Sequence, residues 1–364
     1  MKERKSNIEI LRIIAMSVII LSHIATHGKV NYGSICPNKI ITEQYKFGGW
    51  IGDNLFILIM GYFQINKPFS CKRFLKLLCQ VTFYSVILYA VSCLIGQSDF
   101  SMKTLFQSSV PLLCGGAYWF IVTYMMVYVF SPIINHGIKE LSKNQLFAIL
   151  VFFGFIYVIV PNFIHQVISV NDFGQNNFTW MVYFYTIGAT LQLYPIKNRN
   201  NTAISIALLI CVAIILAFRG IRTAEIINEQ STSGRFLILF LTFFSRRALE
   251  GTMVIIVSTL LFLLLSSRDI GSITWINRIS STMFGVYLIH DHPVFRDYMW
   301  IKVFRIPYFQ DKPYFFLYSL LVIAIILSIG SMMDTLRQKV IESPLFSSTK
   351  LNQMCASFDS WLEK

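Results

Sequence analysis

The chain has 364 residues, 55% of them hydrophobic and only 13% charged, with a mean hydropathy of +0.60. A soluble domain carries about a quarter charged residues, so this composition excludes a soluble globular protein and implies an all-α, polytopic integral membrane protein. The formal net charge of +13 does not point to nucleic acid, because the basic residues are scattered over loops with no soluble domain to present them; a membrane surface and an anionic substrate are the partners it implies.

The first apolar stretch, 8–26, carries Glu9, Arg12 and His23, with His27 just beyond it. Eleven residues at roughly 100° each return His23 to within about 20° of Arg12 on a helix, ~16 Å away along the axis. Glu9 and His27 share that stripe, while Ile13, Ile14, Val18 and Leu21 lie elsewhere, so the stretch predicts a helix with a chemical face turned inward. Its apolar run is too long for a cleaved signal peptide and no small-residue cleavage site follows before Lys29, so it is expected to remain in the mature protein. His23 has two readings: a hydrogen bond between helices, or a neutral imidazole that takes a proton from a hydroxyl. Arg12 either snorkels to the interface or serves the site. His23 and His27 also have metal-ligand spacing, but no third ligand is apparent nearby, and no metal is expected.

A long connection, 28–49, leads to a second predicted span, 50–65, which contains Asp53 and Asn54 and is followed at once by the basic turn of Lys67, Lys72, Arg73 and Lys76. That cluster fits a topogenic or lipid-headgroup role or a site for the phosphates of a cytoplasmic cofactor. Further spans are predicted at 74–95, 117–134, 146–164, 179–193, 203–217, 251–265, 282–294 and 315–333, which makes roughly ten transmembrane helices at about 20 apolar residues each. The second, sixth and ninth are short or interrupted. Within the long connection 219–250, the apolar run 236–244 is too short to cross and is expected to lie in the interface or dip back. In the ninth span Tyr287 and His290 stand one turn apart and share a face. His290-Asp291-His292 is a weak metal pattern, or a polar cluster at the outer interface. Residues 1–341 are taken as the membrane domain and 342–364 as a loose or amphipathic cytoplasmic tail with Trp361 as an interfacial anchor.

Lys2, Arg4 and Lys5 precede the first span and the basic turn follows the second, so the positive-inside rule places both termini in the cytoplasm of a multi-pass cell-membrane protein. Against this, Arg222, Arg235, Arg246, Arg247, Arg296, Lys302 and Arg305 would then lie outside. The seven cysteines form no C-x-x-C pair, and no disulfide framework is implied. There is no internal repeat or low-complexity tract.

Taken in order, these patches resemble the acyltransferase 3 family of integral membrane acyltransferases. Glu9-x-x-Arg12 followed after ten residues by His23 is similar to the family's first-span pattern. The segment from Asp53 to Phe63, the basic turn with Arg73 and Lys76, Tyr118-Trp119-Phe120, and Tyr287-Leu288-Ile289-His290 continue the likeness over most of the chain. Met60 stands where the family usually has serine, and Lys76 where a second arginine is common. No C-terminal esterase-like domain is present, so the chain resembles the stand-alone form.

The resemblance implies transfer of an acyl group, most often acetyl from acetyl-CoA, to a hydroxyl of a cell-envelope glycan or a related molecule. It implies His23 as general base with Arg12 and Glu9, cofactor contacts from Lys72, Arg73 and Lys76, and acceptor contacts from Asp53, Trp119, Tyr287 and His290. The chemistry is sound, since a positioned base accelerates attack by an alcohol by typically 10²–10⁴-fold. The competing class is an exporter or carrier of an envelope polysaccharide or its lipid-linked precursor, in which the same buried charges line a pathway. The lack of an inverted repeat weighs against it.

Overall fold

The computed structural model describes residues 5–32, 36–111, 118–167, 178–196, 200–225 and 246–362, and among them every regular element is helical. In chain order these are α1 (Ser6–His27), α2 (Pro37–Gln64), α3 (Cys71–Leu94), α4 (Met102–Ser109), α5 (Trp119–Glu140), α6 (Lys143–Val167), α7 (Phe178–Leu193), α8 (Asn201–Glu225) and α9 (Arg246–Ser266). Then come α10 (Thr274–Ser280), α11 (Met283–His290), a π-helical turn (Tyr298–Val303), α12 (Ile306–Phe309), α13 (Phe315–Arg337), a second π turn (Gln338–Glu342), α14 (Ser343–Ser347) and α15 (Thr349–Leu362).

The core is built on α2, which lies between α1 and α7. Small residues let the backbones meet, as they do wherever helices pack in lipid. A side chain at Gly48 would meet the Val18 carbonyl at 2.7 Å, and one at Gly52 would meet the Ala15 carbonyl at 2.5 Å. On the opposite side of α2, Gly61 lies against the Tyr185 carbonyl, and Gly188 of α7 lies against that of Leu58. Around this core α9 packs on α2, α6 and α8, and α5 packs on α7. The outward faces are apolar: Phe147, Val151, Phe152 and Phe155 on α6 and Ile206, Leu209 and Ile210 on α8 are exposed, as a lipid-facing surface requires.

Four helical stretches are long and apolar enough to cross a membrane, Ser6–His27, Cys71–Leu94, Trp119–Glu140 and Phe315–Ser347, with shorter apolar helices at Lys143–Tyr157, Asn201–Ala217 and Gly251–Ser266. The expected ten spans are therefore not reproduced among the described residues, for two identifiable reasons. The second helix begins at Pro37, inside the stretch expected as a connection, with Cys36 extended at its N-cap. Proline suits the first turn, where its missing N–H is not needed. Lys39, Glu43 and Lys46 lower the hydropathy there, yet Thr42, Tyr45 and Phe47 are buried, so this is an amphipathic extension of an apolar helix. The expected ninth span, 282–294, begins directly after a turn at Ser281 and Thr282 and is cut short at His290, leaving the eight-residue α11. The apolar run 236–244 lies outside the described residues.

Both described ends of the chain meet at one end of the bundle. Lys5 shares a cavity with Arg73, and Asp359 of α15 accepts a hydrogen bond from the Cys71 backbone N–H at 2.7 Å. The tail is an amphipathic helix whose Cys355 is buried and whose Met354, Phe358 and Trp361 are exposed.

Replacing Gly52 with Val should drive α1 and α2 apart and destabilise the protein by about 1–3 kcal/mol, read as a lower apparent Tm in detergent. Gly137→Ala, in a helical position with no neighbour within 4 Å of the added carbon, should leave Tm unchanged or raise it slightly through the lost backbone entropy of glycine.

Candidate active site

Where α1 begins, the broken pair α10–α11 runs beside it, and polar side chains close the contact. Ser6 Oγ donates to Asn277 Oδ1 at 2.9 Å and accepts from the Ile273 N–H at 2.6 Å. One turn on, the buried Glu9 carboxylate accepts from Ser280 Oγ and forms a two-pronged pair with Arg12 Nη1 at 2.8 and 3.0 Å. A carboxylate at this depth needs such partners.

This cluster forms one wall of a cavity of about 790 Å³, within the range of small-molecule sites. Among the described residues, Lys5, Arg12, Lys67 and Arg73 line it, four cations against the single carboxylate of Glu9. Arg73 sits at the first turn of α3, where Ser70 caps the helix, and its Nη1 donates to Gln64 Oε1 at 2.8 Å. Buried Met16, Phe120 and Tyr287 also line the cavity. Such a donor set suits an anionic, phosphate-bearing head, and the apolar lining suits an uncharged arm.

His23 lies two turns beyond Met16 on α1, and the Tyr287 ring stands between, 6.3 Å from the His23 ring centre to centre. His23 Nδ1 is 3.0 Å from His290 Nε2, and His290 Nδ1 is 2.7 Å from the Val286 carbonyl. Asp291 gathers the rest: Oδ2 accepts from the Tyr287 hydroxyl at 3.0 Å, and Oδ1 accepts from Arg296 Nη1 at 3.2 Å. The same Oδ1 lies 3.5 Å from His27 Nε2 and 3.9 Å from His23 Nδ1. His27 and Arg296 keep 24% and 30% of their side chains exposed, so this cluster has an opening away from the cationic cavity.

The structure therefore brings Glu9, Arg12, Arg73 and Tyr287 to one cavity, while His23 and His290 lie outside its lining, packed against Tyr287, with Asp53 within electrostatic reach of Asp291 and Tyr287. Lys72, Lys76 and Trp119 are not among the described residues lining it. Lys76 turns to Glu342 at 2.9 Å, part of a network in which Glu342 also takes Arg337 at 3.0 Å, and Trp119 packs on Phe120 with ring centres 5.9 Å apart. Sequence reasoning missed Lys5 and Phe120 as lining residues and Asp291 and Arg296 as partners of the histidines, while Lys67 of the basic turn does line the cavity. Arg296 had counted against the topology; it is held by Asp291. The third group near His23 and His27 that the sequence did not show is also Asp291, with ligand atoms of the three within 4.8 Å. The Arg296 guanidinium on Oδ1 opposes a cation there.

The chain matches the family model described as an acyltransferase domain, acyltransferase 3, over residues 5–332. No curated protein and no solved structure matches it. The matched span holds both ends of the cavity and both histidines, and the chain belongs to this acyltransferase family.

Asp291→Ala would leave Tyr287 and Arg296 without their shared acceptor, at a cost of about 1–3 kcal/mol for the buried Tyr287 hydroxyl left unpaired and less for the partly exposed Arg296. Its apparent Tm in detergent should fall clearly below wild type. Asp297→Ala, whose contact to Lys29 spans 3.9 Å between side chains that are 58% and 66% exposed, should change it by no more than about 0.5 kcal/mol.

Proposed function

We propose that this acyltransferase carries an acyl group, acetyl in the first place, from acyl-CoA to a hydroxyl of a cell-envelope or exported polysaccharide, with His23 as the general base. The observation that supports it most is the continuity of the site: a cavity with four cations at one end closes on Tyr287, whose ring is next to that of His23. Arg12 and His23 are ~16 Å apart along α1, a separation suited to a donor with an anionic head and a long, thin arm. Arg12 and Arg73, with Lys5 and Lys67, would hold the phosphates; Lys76 is engaged by Glu342 and has less freedom to do so.

Bound there, acyl-CoA supplies an activated thioester carbonyl at the inner end of the cavity. His23 removes the proton of the acceptor hydroxyl as its oxygen attacks, and returns that proton to the departing sulfur. The positive charge that the imidazole carries in between faces the Asp291 carboxylate, 3.9 Å away, whose own position is fixed by Tyr287 and Arg296. The acceptor enters past His27 and Arg296, at the end of α1 opposite the cationic cavity. With the basic end in the cytoplasm, as the positive-inside rule favours, donor and acceptor approach from different sides, and both chain termini are cytoplasmic. Membership of an acyltransferase family favours this activity over export or carriage of a polysaccharide.

His23→Gln keeps a hydrogen-bonding amide of similar reach but no useful basicity, so acetyl transfer from labelled acetyl-CoA should fall by roughly 10²–10⁴-fold while CoA binding is nearly retained. His27→Gln should lose much less. Near-wild-type transfer by a folded His23→Gln protein would overturn the assignment, and equal loss in both variants would favour a paired-histidine site.

Charge reversal at Arg73 should mainly raise KM for acyl-CoA, with kcat little changed. An unchanged KM in a correctly inserted Arg73→Glu protein would return the basic turn to a topogenic role.

A further inference from the structure

His290 is fully buried, and both of its ring nitrogens are spoken for. Its Nδ1 faces the Val286 carbonyl at 2.7 Å, and a carbonyl oxygen only accepts, so Nδ1 must carry the proton. In the neutral ring Nε2 is then a bare acceptor. The atom facing it at 3.0 Å is His23 Nδ1, which must donate. A neutral His23 with its proton on Nδ1 has its lone pair on Nε2, the nitrogen left for substrate.

We propose that His290 is a positioning residue that fixes the tautomer of His23, through the chain Val286 C=O, His290 and His23, so that the base always presents an unprotonated Nε2. Other acceptors near His23 Nδ1 are poorer. Asp291 Oδ1 is 3.9 Å away and already receives Arg296 at 3.2 Å. The His290 backbone is held independently of this contact: α11 packs on α13, where Gly285 lies against Asp334 and Gly330 against Val286, and the Tyr118 hydroxyl donates to the Leu288 carbonyl at 3.1 Å. A tautomer fixed from a rigid helix spares the reaction the cost of reorganising the base. The role rests on His23 being the base, but the tautomer itself does not.

The test is nitrogen NMR of the full-length protein in detergent with ring-¹⁵N histidine, whose shifts separate a protonated from a bare ring nitrogen; the chain has six histidines, and the His23 signals are assigned by their loss in His23→Gln. Wild-type His23 should show protonated Nδ1 and bare Nε2, the opposite of the form free histidine favours in water. In His290→Phe it should revert to the Nε2–H form, and kcat for acetyl transfer should fall by about 10²-fold with KM for acyl-CoA unchanged. His290→Gln, which still offers His23 an acceptor oxygen, should recover part of the tautomer signal and of kcat. A wild-type His23 protonated at Nε2, or a His290→Phe protein that keeps Nδ1–H and full kcat, would overturn the proposal. The wild-type spectrum decides it even where the Phe variant does not fold. A protein with the expected tautomer and no acetyl transfer would instead contradict the proposed function.

Discussion

Polar side chains set inside an apolar helix must find their partners within the protein, because hydrocarbon offers none. In α1 this constraint acts twice, at Glu9 and Arg12 and again at His23 and His27, and a single device answers both. The chain from Thr274 to Arg296 lies along α1, giving Ser280 to Glu9 at one end and His290 to His23 at the other. Its break at Ser281 and Thr282 and its end after His290 place Asp291 where it can hold Tyr287 and Arg296 beside the histidines. The approach of α1 and α2 over Gly48 and Gly52 brings Asp53 to the same place. The site thus follows from solving a solvation problem with elements that pack closely.

The arrangement separates charge from chemistry. The cations Lys5, Arg12, Lys67 and Arg73 line the cavity, where they attract an anion. The His23 imidazole sits beside Tyr287, largely buried among His27, His290 and Asp291, where an oriented dipole or carboxylate acts more strongly than in water. Aromatic side chains between the two suit a thin arm better than a bulky head. The proposed acyl transfer would use such a division: a head group held at a distance, a carbonyl delivered to the base, and bulk water kept from the thioester.

Much of this was legible in the sequence, because α1 carries its polar residues at a helical period. The Glu9, Arg12, His23 and His27 stripe, and the Tyr287 and His290 pair, survive as neighbours in space. The start of α2 was hidden, since Lys39, Glu43 and Lys46 lower the hydropathy of a segment whose buried face is only Thr42, Tyr45 and Phe47. The ninth span read as running to Val294 because hydropathy does not register that the helix ends at His290. Lys76 looked like a partner of Arg73, and only tertiary contact shows it turned to Glu342, more than 260 residues away. Asp291 and Arg296 stood in plain view, one as part of a weak metal pattern and the other as a topological objection, and became a pair only when the chain folded. Local period is readable from sequence; which distant charges neutralise one another is not.

The account depends most on the acyl end of the donor reaching the inner end of the cavity beside His23. An acyl-CoA bearing a diazirine at the end of its acyl group, photolysed on the purified protein and mapped by peptide mass spectrometry, measures that directly. Adducts should concentrate on Met16, Phe120 and Tyr287 and disappear with excess CoA. Adducts confined to the lipid-facing side chains of α6 and α8, or a pattern that CoA does not displace, would contradict it.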